Sequence, residues 1–139
     1  MRTMAESQLT DECALVVGDG KFEYRIVGES HYQSELEQLT GPRTEDGCHQ
    51  KCAALLLPEP TNPYDRNAVA VFIHNVRVGY LSHDVCAEFL EALSKGGFSR
   101  AASEAVIVGG WKDREDGRGD GFYGVRLNAC LPFVLKKIT

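Results

Sequence analysis

The sequence predicts a small, mostly antiparallel β-barrel carrying one or two helices. Three observations lead there. Short apolar, β-branched runs recur along the chain and are separated by Gly, Pro, Asn and Asp, the residues that reverse a backbone. A single stretch after Ser82 has clear helical spacing. The 139 residues, 43% of them hydrophobic, suffice for one buried core and show no internal repeat or linker. The expected organisation is a polar, frayed segment over residues 1–10 and a single domain over residues 11–139.

Taken in order, Cys13–Val17 and Phe22–Val27 read as strands joined through Gly18-Asp19-Gly20. Gly28 ends the second. Ser34 and Glu37 have capping-box spacing, with Leu36 and Leu39 facing inward, which predicts one or two helical turns. Residues 41–47 form a turn-rich loop. Leu55–Leu57 is a buried strand that Pro58 and Pro60 stop, since proline fixes φ and lacks an amide donor. Asn62-Pro63-Tyr64-Asp65 makes a corner, Ala68–Ile73 is a strand, and His74-Asn75 reverses the chain into Val76–Leu81.

Ser82 is then an N-cap, with Asp84 in the first turn. Val85, Cys86, Phe89, Leu90 and Leu93 recur at helical spacing until Gly96-Gly97. Glu104–Val108, Phe122–Leu127 and Pro132–Leu135 complete the strands, with residues 109–121 as a hairpin loop.

The central stretch, PEPTNPYDRNAVAVF followed by VGYL, together with the upstream IVGESHY, resembles the core motif of the HIRAN domain. This module occurs at the N-terminus of some DNA translocases and ubiquitin ligases and as small bacterial proteins. The resemblance spans about residues 22–93 and, more loosely, the remainder to the C-terminus. It implies an OB-like barrel and, by way of members that act on DNA, recognition of the 3′ end of single-stranded DNA.

It also implies site residues. Tyr64 would offer an aromatic face to the terminal base, and Asp65 a carboxylate to its 3′ hydroxyl. DNA-binding members place a basic residue and an aromatic before the position of Tyr32; this chain has Ser30 and His31. A family basic residue falls near His83, with Tyr80 beside it. The implied set is therefore Tyr64, Asp65, His31, Ser30, Tyr32, Tyr80 and His83. A structural reading stands beside it: Asp65 bonding the turn backbone, Tyr64 packing the corner and Tyr32 in the core.

Other signals point away from chemistry. No phosphate-cradling loop, HExxH or GxSxG is present, so no enzyme is expected. Cys48-His49-x-x-Cys52 supplies one ligand cluster where a structural zinc site needs four closing ligands, so neither metal nor cofactor is expected. The acidic loop Asp113–Asp120 lacks the closing Glu of a calcium loop, and its Arg118-Gly119-Asp120 reads as part of a solvated hairpin tip. Five cysteines, no long apolar run and no secretion-signal core predict a cytoplasmic protein without a membrane segment.

The net charge of −5 counts against a broad polyanion-binding surface. Charge is uneven, however: six basic and four acidic side chains give residues 111–139 +2, against −7 for residues 1–110. Arg114, Arg118 and Arg126 mix there with Trp111, Phe122 and Tyr123. The pattern suits stacking with phosphate contact. The favoured reading puts Trp111 and one of Phe122 and Tyr123 in the core and the arginines on a solubilising tip. Two functions follow: a non-enzymatic module for single-stranded DNA 3′ ends, or a protein-interaction module that keeps the fold without DNA binding.

Overall fold

The computed structural model describes residues 13–112 and 121–138. The expected fraying of residues 1–10 and the acidic loop with Arg114 and Arg118 lie outside them. Strand accounts for 41% and helix for 21%, in a sheet curled into an antiparallel half-barrel of OB-like form. The strands are β1 (Cys13–Val16), β2 (Tyr24–Arg25), β3 (Cys48–Pro58), β4 (Val69–Ile73), β5 (Val76–Tyr80), β6 (Arg100–Gly109), β7 (Tyr123–Leu127) and β8 (Leu135–Lys137). The helices are α1 (Gln33–Thr40) and α2 (His83–Gly96).

Hydrogen-bonded order runs β2-β7-β6-β3-β4-β5, while β1 pairs parallel with the start of β6 and antiparallel with β8. The sheet's two ends meet. Just past β2, Val27 exchanges backbone hydrogen bonds with Tyr80 of β5, both 2.8 Å. The backbones can approach there because residue 79 is glycine. A Cβ at Gly79 would sit 2.6 Å from the Val27 oxygen, closer than any contact tolerates.

Local chemistry explains most elements. His74 and Asn75 both adopt positive φ, 50° and 65°, as a two-residue turn matched to strand twist requires. α2 ends where Gly97 takes φ 75° and the Phe98 amide bonds the Leu93 carbonyl. Its apolar face carries Val85, Cys86, Phe89 and Leu93 into the core, where Phe89 meets Phe133 edge-on at 5.2 Å. Burying a ring of that size contributes on the order of 2–3 kcal/mol.

Several expectations need correction. Ser34 does not cap α1: the helix starts at Gln33, from a 3₁₀ turn over Glu29–His31, and the Ser34 hydroxyl bonds Glu35. Ser82 does occupy the N-cap position of α2, but its hydroxyl pairs with the Tyr24 hydroxyl, which itself accepts the Ser82 amide. β2 is two residues rather than six, because Phe22 takes φ 53° and breaks the extended run. β3 and β6 are longer than the apolar runs, pairing continuously from Cys48↔Gly109 to Leu56↔Ala101. The last strand starts at Leu135, not Pro132.

Candidate nucleic-acid interface

The corner between β3 and β4 is built around Glu59. Its backbone amide bonds the Ala68 carbonyl at 2.8 Å, closing the loop, and its carboxylate faces inward. Oε1 accepts from Asn62 Nδ2 and from the Tyr80 hydroxyl, each at 3.1 Å, while Oε2 pairs with Arg77 Nη2. Asn62, thus oriented, accepts the amides of Tyr64 (2.9 Å) and Asp65 (3.1 Å) on Oδ1. That is an Asx turn, and it fixes the backbone on which both predicted site residues sit.

Tyr64 is 96% exposed, so it does not pack the corner. Asp65 does bond the turn, accepting the Asn67 amide at 2.9 Å on Oδ1, yet Oδ2 meets His83 Nδ1 at 2.9 Å. His83 is presented by the first residue of α2. Those two donors, the imidazole foremost, hold the Asp65 carboxyl below its ordinary range. Opposite an ionised carboxylate, Nδ1 carries the proton. The carboxylate retains lone pairs for a further donor.

These residues line a half-open pocket of about 310 Å³, floored by Val27, Ala68, Leu81 and Cys86 and walled by Tyr64, Asp65, Tyr80 and His83. Asp65 is the one Asp, Glu, Lys or Arg in its lining. The Tyr80 hydroxyl, pushed up to about 12 by burial and then by its bond to Glu59, remains a donor at neutral pH.

The first loop divides. Tyr32 is half-buried at the N-cap position of α1, outside the corner pocket. His31 is exposed on the 3₁₀ turn, outside the corner pocket. Ser30 faces a different cavity, of about 540 Å³, on the outer side of β7. Asn62 bonds its local backbone as a turn residue should, but sequence reasoning missed Glu59, which orients it, and Arg77. For Glu59 the available signal was an acid between two prolines, three residues ahead of an Asn.

The late hairpin also differs from its favoured reading. Tyr123 is core, under the Arg43 guanidinium at 4.7 Å, but Trp111 is 39% and Phe122 69% exposed. Arg126 lies in β7 rather than at a tip. The cysteine cluster cannot converge, because Cys48 and Cys52 lie four residues apart on one extended strand, about 13 Å, with His49 on the opposite face. No metal-holding group occurs among the described residues, and none of their helices is long and apolar enough to cross a membrane.

Neither the curated proteins nor the solved structures contain a match to this chain. The model of the HIRAN domain matches residues 19–118, a span that takes in the closing strand pair, the Asx corner and the start of α2. Domains of this type are known for nucleic-acid binding and are binding modules rather than catalytic ones. With most of its length covered by that match, the chain belongs to the HIRAN domain family.

Proposed function

We propose that this protein captures the 3′ end of a single DNA strand in the corner pocket, without catalysis. The observation that carries this reading is the pairing of an almost fully exposed Tyr64 ring with an Asp65 carboxylate held ionised beside it. A terminal base stacks on Tyr64, and the 3′ hydroxyl donates to Asp65. Tyr80 and the free ring nitrogen of His83 hydrogen-bond the sugar or base. A 3′ phosphate would meet the carboxylate instead and be repelled. Because no lysine or arginine lines this pocket, stacking and hydrogen bonding dominate its affinity.

Fluorescence anisotropy at low salt with three probes, a free 3′ hydroxyl strand, its 3′ phosphate and a blunt duplex, tests the reading. Preference for the free hydroxyl, lost in Asp65→Ala, is the expected result. Equal binding of hydroxyl and phosphate ends by the unmodified protein would overturn it. Absence of binding to every probe at high micromolar protein would leave a module for a protein partner.

A further inference from the structure

The outer face of the sheet carries a feature that the corner does not explain. Register places Lys51 opposite Val106, Val106 opposite Arg126, and Arg126 opposite Arg25. Directly opposed residues of antiparallel strands point to the same face, so these four form one row across β3, β6, β7 and β2. That face is the outer one: the flanking Ala105, Ile107, Val125 and Leu127 belong to the core cluster, whereas Val106, though buried, does not. Three cations thus share one row.

Arg25 and Arg126 are direct neighbours of like charge, an arrangement that costs stability. Arg126 forms no ion pair among the described residues, and Lys51 only covers the Phe22 ring at 5.6 Å. The row borders the 540 Å³ cavity, whose floor includes Gly124 and whose walls include the exposed Trp111 and Phe122. One acid, Glu29, lines it. Burial pushes its carboxyl up, and Oε2 is taken by the Val125 amide at 3.2 Å. The cavity and the corner pocket adjoin: Gly28 lines the first, and a Cβ there would lie 3.8 Å from the Tyr80 ring of the second.

We propose that Lys51, Arg126 and Arg25 form a phosphate track that receives the body of a single-stranded nucleic acid, with Trp111 and Phe122 stacking its bases. This rests on the corner reading for polarity: the strand enters along the row and ends at Asp65. The row supplies the fixed positive charge that Ser30 and His31 do not. It also concentrates cations in a chain of net charge −5, so an anionic strand is steered to one face.

The test uses the full chain and two strands with free 3′ hydroxyls, about three and about twelve nucleotides long, the latter within the footprint usual for such barrels. The unmodified protein should bind the longer strand about ten-fold tighter at low salt, with a steeper salt dependence. In the triple variant K51Q/R126Q/R25Q the gain with length should vanish. The log–log salt slope should fall by about 2, from three phosphates at roughly 0.7 each. Binding of the short strand should stay unchanged, which also reports an intact fold. A variant that keeps the full length gain and slope overturns the track. Failure of the corner reading looks different: hydroxyl and phosphate ends would bind alike while the length and salt effects persisted.

Discussion

On the proposed readings, the corner and the outer row would meet anions and bases by opposite means. At the corner nearly every polar group already has a partner: Glu59 holds Asn62, Tyr80 and Arg77, and Asp65 holds His83. The row has three cations, and the one acid lining the cavity beside it is Glu29, whose carboxyl burial pushes up. Preorganised hydrogen bonds discriminate, because a ligand that cannot complete them leaves desolvated groups unpaired. Unpaired surface cations do not discriminate, but they raise affinity and encounter rate. A domain with both separates what it reads from how tightly it holds.

The sharpest way to break that division is Tyr64→Ala. Loss of one base stack should weaken end binding by about 1–3 kcal/mol, up to roughly a hundred-fold, by anisotropy. A ring this exposed should leave the melting temperature unmoved; an altered melt would mean that Tyr64 supports the fold after all. Next is Glu59, which touches no strand in this reading. Glu59→Ala should cost about 1–3 kcal/mol in denaturant unfolding by stranding the Asn62 amide and the Arg77 charge, and should weaken end binding. Glu59→Gln, which keeps an acceptor, should cost less; equal losses would show that charge rather than orientation matters.

The row should behave in reverse. Arg126→Gln relieves the like-charged pair and should raise stability by a few tenths of a kcal/mol while lowering affinity for long strands. A variant that loses stability and affinity together would make Arg126 structural. Smallest is a pH effect. The Tyr80 hydroxyl titrates near 10 when unfolded and about 12 when folded, so the unfolded chain releases its proton first. Its contribution to stability is complete below pH 10 and is lost as pH rises towards 12. Tyr80→Phe should flatten that fall relative to the parent in paired urea titrations; parallel curves would refute the assignment.

Much of the fold was legible because its signals are local. His74-Asn75 needs only two residues willing to take positive φ, and α2 announces itself through five apolar positions and a closing glycine pair. The small antiparallel barrel follows from short strands with one strong helix, its OB-like form from the family resemblance, and the corner from four consecutive residues. What escaped was non-local. Small residues such as Ala53 and Ala102 carry no strand signal of their own and join β3 and β6 only through pairing. Ser34 matched a cap by spacing, but the 3₁₀ turn before it already begins the helix. The row of Lys51, Arg126 and Arg25 spans 102 residues of sequence and exists only once three registers are set. Ser30 and His31, placed at the corner by motif position, lie instead on a turn that divides two cavities.

The paired amides of Val27 and Tyr80 sit where the sheet's ends meet, between those cavities. They are therefore a built-in clock. Each can exchange its hydrogen with solvent only when the seam parts, and a strand lying from the row to the corner would brace both sides of it. Two slowed amide signals among the many of this chain would time the opening of the barrel, and the dwell of its guest.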